Sequence, residues 1–242
     1  MHEIRGVPAL DPAEMARVDR VMTERFGVET LQLMELAARA VAIASRGMLP
    51  GGDARGRRVV ALCGRGGNGG DGMAAARLLH AWGAQTMVAL SCSPERLNAA
   101  AAHQFVSLQR LGVPVLPPSD AAPVLPEADL LIDALLGFGL TGPPTGASAA
   151  LIRAANVHSA PKLAVDVPSG LDAASGVPFD PCLRATRTLT LALPKTGLLA
   201  PGARAFVGRL TVADIGVPPE AYAAIGRDIG PVFAATETID LW

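Results

Sequence analysis

Residues 58–79 read RVVALCGRGGNGGDGMAAARLL, and the fold turns on this one stretch. Its apolar start, residues 58–62, has the character of a buried strand, and residues 73–79 have that of a helix. Between them lies a glycine-rich turn that runs into a helix N-terminus, a layout that brings backbone N–H groups up to a phosphate or another polar ligand. Asn68 and Asp71 stand among six glycines at residues 64–72. Glycine admits close approach and positive φ, so these two side chains are left to point at whatever comes close.

Upstream, Asp11, Pro12 and Glu14 read as a helix start, with Asp11 as N-cap and Glu14 closing a capping box. That helix is expected to run to Gly27. A second amphipathic helix follows from Thr30 through Ala40, with Glu35 interrupting its apolar character, and both precede the first strand. Downstream, the pattern predicts a strand at 86–90, a helix at 94–111, a short strand at 114–116 and a strand at 130–132 ending on Asp133. Then come a helix from Ser148, its expected N-cap, to Asn156, a strand at 163–165 ending on Asp166, and runs at 188–193 and 209–212. Short apolar strands separated by helices give an α/β fold whose mostly parallel sheet is covered on both faces.

In an open parallel sheet all carboxyl ends share one edge, where ligands collect. One strand ends in the glycine loop, another in DALLGFGLTGPP at 133–144, and a third in DVPSGLD at 166–172. Asn68, Asp71, Asp133, Asp166 and Ser169 are therefore expected to converge on one pocket. Such a set of oxygens suits a hard cation or a hydroxyl-bearing ligand, and an acid in a partly buried pocket can trade protons. Taken singly, each loop also reads as a tight turn or a helix cap. Lys195, just after a strand, either reaches the same edge or is a solvated loop residue.

Bulk properties narrow the classes. With 242 residues, half of them hydrophobic, the chain is expected to form one domain. A formal net charge of −1 and no long basic block argue against a nucleic-acid binder. Cys63, Cys92 and Cys182 form no CxxC pair, which points to a reducing, cytoplasmic setting, and no stretch has the apolar span of a membrane helix. Gly64, Gly66 and Gly69 satisfy GxGxxG, yet the next strand ends in Ser91, Cys92 and Ser93, with no acid for a ribose 2′-hydroxyl. Asp71 near a helix start also opposes a bare pyrophosphate, so a hydride-transferring dehydrogenase is weakly supported. No GK[ST] follows the loop. His2, His80, His103 and His158 fall away from the strand ends, which leaves no poised nucleophile and base.

Taken together, CGRGGNGGDGMAAARLL, IDALLGFGLTGPPTG and VDVPSGLDAASG, in that order, resemble the three signature loops of the NAD(P)H-hydrate epimerases, the YjeF N-terminal domain family. The likeness extends through PAEMARVDR, LMELAARA, LTLALPKTGLL and VADIGVPPE. It implies a Rossmann-like three-layer αβα sandwich, usually a homodimer, over residues 1–242 with no fused dehydratase domain. The implied activity is that of an isomerase, interconverting the R and S epimers of NADHX and NADPHX as metabolite repair. A separate ATP- or ADP-dependent dehydratase would then act on the S epimer.

The resemblance places potassium ligands on Asn68, Asp133 and Ser169. Substrate-binding positions fall on Gly67, Asn68, Gly69, Gly70 and Asp71, on Gly137, Phe138, Gly139, Leu140, Thr141, Gly142 and Pro143, and on Asp166. With Asp133 assigned to the ion, Asp166 is the expected acid/base. The family loop commonly reads GPGNNGGDG, whereas here Arg65 replaces the proline and Gly67 the first asparagine. The alternative is a non-catalytic nucleotide-binding or dimerisation module of the same fold.

Overall fold

The computed structural model describes residues 3–118 and 125–242. A small hairpin of β1 (Glu3–Ile4) and β2 (Val7–Pro8) comes first, ahead of the two helices that were expected to open the chain. Asp11 then caps α1 (Pro12–Arg20), accepting from the Glu14 amide while the Glu14 carboxylate accepts from the Asp11 amide. The helix continues as a π-turn over Val21–Arg25 before Gly27 at φ 67° stops it. The second helix is α2 (Thr30–Met48).

The central stretch forms as expected, β3 (Arg58–Cys63) running through the loop into α3 (Gly67–Ala81). Next come β4 (Gln85–Leu90), α4 (Ala99–Arg110), β5 (Val115–Leu116) and β6 (Leu130–Ala134). The expected helix at 94–111 is broken, because Asn98 takes an extended backbone and caps α4 by accepting from the Ala101 amide. After β6 come α5 (Gly146–Val157), β7 (Lys162–Val165), β8 (Arg187–Leu191), α6 (Arg204–Val207), β9 (Arg209–Ala213), α7 (Pro219–Ala223) and β10 (Thr238–Asp240). The α5 N-cap is Thr145, earlier than the Ser148 expected.

Seven parallel strands and one antiparallel edge strand, β10, lie in the order β10-β9-β8-β7-β6-β3-β4-β5. Side chains alternate between two cores, as the period of a strand requires. Val59, Ala61 and Cys63 of β3, with Leu130, Ile132 and Ala134 of β6, join the larger core beneath α2, α3 and α4. Val60, Leu62 and Leu131 face a smaller core beneath α5, completed by Leu151, Ile152 and Ala155. The result is the doubly wound three-layer sandwich that was expected. Glu35 is not a defect in α2: its carboxylate takes Arg77 of α3 at 2.5 Å and Gln104 of α4 at 3.1 Å, tying three helices together. Among the described residues no helix is long and apolar enough to cross a membrane.

The chain leaves β3 toward β4 on one side and later returns to β6 on the other, so the strand order reverses between β3 and β6. A crevice opens at such a switch point, outside the carboxyl ends of the strands. The glycine loop and the loop after β6 meet there.

Candidate active site

Close packing explains some of the loop glycines and leaves others free. A Cβ on Gly64 would lie 1.8 Å from the Leu135 carbonyl oxygen, and one on Gly69 would lie 1.9 Å from that of Gly64. A Cβ on Gly66 or Gly67 would meet no described residue within 4 Å, and both glycines line a cavity of about 990 Å³. Gly66 caps α3 without any side chain, so the first amides of that helix face the cavity with no internal acceptor.

Asp133, at the end of β6, is 1% exposed. One carboxylate oxygen accepts from the Ser169 hydroxyl at 2.6 Å and the other from the Ser169 amide at 2.8 Å. The Ser169 hydroxyl oxygen in turn accepts from the Leu136 amide at 2.9 Å, which locks the loop after β6 onto the loop after β7. Burial raises the Asp133 carboxyl to about 6, and the hydrogen bonds from Ser169 and Leu135 hold it from going higher. Asn68 packs against Gly137 in the loop that Ser169 holds, and its amide nitrogen is buried without a hydrogen-bond partner among the described residues.

Asp166 follows β7 at φ 66°, a backbone region uncommon for a residue with a side chain. The Val167 amide closes onto the Val165 carbonyl at 2.8 Å, and the Asp166 amide onto Leu189 of β8 at 2.8 Å. The same irregularity recurs next door, where Ala192 sits at φ 61° and the Leu193 amide closes onto Leu191. The two turns bring Lys195 to Asp166 in an ion pair with Lys195 only 2% exposed and Asp166 4%. Asp166 also accepts from Thr190 and from the Leu191 amide, each at 3.2 Å, while Lys195 donates to the Leu191 carbonyl at 3.0 Å. The Phe138 ring lies 5.5 Å from the ammonium.

Asp19, on α1, joins these groups in the cavity lining, together with Asp71, Asp166 and Lys195. Burial raises the Asp19 carboxyl to about 6 despite Lys195, with Asp166 adding to the rise. Asp71 is raised well above its ordinary value, by burial first and then by the charges of Asp166 and Asp19. The shift favours the neutral acid, which weakens the objection that Asp71 would repel a pyrophosphate at the start of α3.

The expected residues are divided by depth. Gly67, Asn68, Asp71, Gly137, Phe138, Gly139, Leu140, Thr141 and Asp166 line the cavity, whereas Asp133 and Ser169 lie beneath it as a bonded pair. Gly69 and Gly70 pack against Gly64 and Met34 instead, and Gly142 and Pro143 stand outside the lining. Sequence reasoning missed the wall built by Met15, Asp19 and Thr23 of the first helical segment and by Leu33, Met34 and Ala37 of α2. One signal for it was available, since Asp19 falls among Met15, Val18 and Met22 on the buried face of a helix that should have kept an acid in water. Lys195, left open between the edge and solvent, belongs to the edge.

Comparison with known proteins identifies the family. A family described as YjeF-related protein N-terminus matches residues 30–197. The NAD(P)H-hydrate epimerase of Dehalogenimonas lykanthroporepellens is 38% identical over 212 residues, covering 88% of this chain and 83% of that protein. The protein of the same name from Limosilactobacillus fermentum is 37% identical over 208 residues, covering 85% and 96%. The bifunctional NAD(P)H-hydrate repair enzyme Nnr of Moorella thermoacetica is 38% identical over 219 residues, covering 87% of this chain but 41% of the relative. The chain thus spans 40–42% of the length of the bifunctional relatives it matches. The crystal structure of yeast ynu0 shares the fold, with a TM-score of 0.79 and 23% identity over 97% of this chain and all of that one.

Proposed function

The chain belongs to the YjeF-related N-terminal family, and from that premise we infer that it is an NAD(P)H-hydrate epimerase, an isomerase interconverting the R and S epimers of the C6-hydrated nicotinamide ring. The observation that carries this reading is the buried Asp166–Lys195 pair, set in the same cavity as the uncapped start of α3. One end suits proton transfer at a ring, and the other suits a pyrophosphate.

In this reading the open N–H groups at Gly67 and Asn68 hold the pyrophosphate. Phe138 and the segment 137–141 close over the ring. Asp166 and Lys195 share the proton that moves at C6. It passes to the departing hydroxyl, the C6–O bond breaks, and the ring nitrogen lone pair forms the C=N bond. Water then adds to the opposite face and returns a proton to the Asp166 carboxylate. Burial and the charges of Asp166 and Asp19 favour the neutral form of Asp71, which lessens its repulsion of the pyrophosphate.

Asn68, Asp133 and Ser169 would hold a potassium ion. Their chemistry fits it: the buried Asp133 carboxylate, the Ser169 hydroxyl and the Asn68 amide oxygen are mixed anionic and neutral oxygen donors. The ion would supply positive charge to screen the pyrophosphate.

Residues 1–242 act as one epimerase domain, with a separate ATP- or ADP-dependent dehydratase consuming the S epimer. Three free, buried cysteines support a reducing, cytoplasmic setting. Leu36 and Ile43, exposed on α2 and seven residues apart, offer a face for a homodimer.

The test supplies purified protein with R-NADHX, with and without potassium, together with an S-specific dehydratase, and follows NADH recovery. Recovery should accelerate with the wild type and fail with Asp166→Asn. No acceleration by folded protein that still binds a nicotinamide nucleotide would leave a binding module.

A further inference from the structure

We propose that Arg65 and Arg96 form a phosphomonoester subsite at the carboxyl end of β4, and that it makes this chain prefer the 2′-phosphorylated form of the hydrated nicotinamide dinucleotide. The proposal rests on the epimerase reading above and extends it to the far end of the substrate.

β4 adjoins β3 on the side away from β6. In a doubly wound sheet a dinucleotide lies along this edge, its pyrophosphate on the helix after the first strand and its adenosine ribose toward the neighbouring strand. A carboxylate at that strand end holds a free 2′-hydroxyl, whereas an arginine accommodates a 2′-phosphate. β4 runs into Ser91, Cys92 and Ser93 and supplies no acid. Asp166, at the end of β7, stands three strand intervals away, roughly 14 Å along the edge, which separates the ring end from the ribose end of one extended ligand.

Arg65 and Arg96 both line the cavity, beside Ser91 and Cys92. Their positions are tied together, because the Asn98 amide donates to the Arg65 carbonyl at 2.9 Å and so fastens the segment carrying Arg96 to the glycine loop. Both guanidinium charges act on the Cys92 thiol and oppose the burial that raises it. Both side chains are exposed, and among the described residues neither guanidinium has a hydrogen-bond or ion-pair partner. Glu95, the one carboxylate of residues 91–98, lies outside the lining, and hydrogen bonds from its own amide and Ser93 hold its carboxyl below the ordinary range.

Two guanidinium groups brought to one rim repel each other until an anion sits between them, and a phosphate dianion can accept paired bonds from both. A ribose without the phosphate leaves that repulsion in place.

The experiment titrates the full chain by calorimetry with adenosine 2′,5′-bisphosphate and with 5′-AMP, then measures kcat/KM for NADPHX and NADHX. The bisphosphate should bind at least about tenfold tighter, and the NADPHX:NADHX ratio of kcat/KM should be of the same order. The double variant Arg65→Ala/Arg96→Ala should bring both ratios close to one. Equal binding of the two adenosine nucleotides by the wild type would overturn the subsite, whatever the turnover. An advantage that survives in the double variant would overturn its assignment to these arginines. A bisphosphate advantage without turnover of either hydrate would uphold the subsite while the epimerase reading fell.

Discussion

Lys195 and Asp166 form an ion pair that is closed to water on every side but the cavity, and main-chain groups of Leu191 hold both partners at once: its amide bonds the acid and its carbonyl the ammonium. Neither charge can be removed alone without stranding the other. Lys195→Met should lower stability by roughly 3–5 kcal/mol, the cost of breaking a buried pair. Activity should fall by about 10²–10⁴. Lys195→Met/Asp166→Asn should recover most of the stability and none of the activity. Denaturant melts and the coupled assay read the two effects separately, and a Lys195→Met protein as stable as wild type would refute the coupling.

Asp19 gives a pH dependence of defined sign. Its carboxyl lies near 6 in the folded chain against an ordinary 3.8, so the folded state binds the proton more tightly. Stability therefore declines as pH rises from about 4 to about 6, and the cost is fully present above that window. Asp19→Asn removes it. The variant should be more stable than wild type at pH 7–8 by roughly 1–3 kcal/mol, with the gap closing by about pH 4. Urea midpoints across that range would decide, and a gap that stays constant with pH would count against it.

The loop glycines should separate into two classes. Gly69→Ala drives a methyl into the Gly64 carbonyl and should cost roughly 3 kcal/mol or more. Gly67→Asn meets open space and should change stability by less than about 0.5 kcal/mol. It should also lower KM by adding a polar contact at the cavity wall. Thermal melts and Michaelis curves for both variants test this, and equal destabilisation would show that the open space at Gly67 is not real.

Ser169→Ala leaves the Leu136 amide without its side-chain partner and takes the shorter of two hydrogen bonds from one Asp133 oxygen, which keeps only the Leu135 amide at 3.3 Å, so a loss of about 1–3 kcal/mol is expected. If the hydroxyl also holds the ion, activation by KCl at constant ionic strength should vanish in this variant. Activation that persists would remove Ser169 from the ion site.

The sheet and the three strand-end loops were legible because strong local signals mark them: glycine runs, an apolar strand before each loop, and Asp133 and Asp166 as the first polar residues after buried runs. Local signals fail where tertiary docking decides. Asp19 falls on the apolar face of its helix, but what that face meets is settled only when α1 is laid against the cavity, held there by Leu10, whose amide bonds the Pro194 carbonyl at 3.0 Å. The reach of Lys195 depends on the turn at Ala192, and nothing in an alanine announces φ 61°. Arg96 could be placed only once Asn98 had broken the expected helix into a short turn and α4. β10 is three residues long, pairs only with β9 and carries too little pattern to be seen in advance.

The twin turns at Asp166 and Ala192 have a thermodynamic meaning of their own. Each places a residue with a Cβ in a backbone state that costs on the order of 1–3 kcal/mol, an outlay met when the sheet folds. In return, the fold itself fixes the dipoles around the acid and the ammonium. The site is preorganised by its main chain: little reorientation is left for the moment of reaction, when it would otherwise add to the barrier.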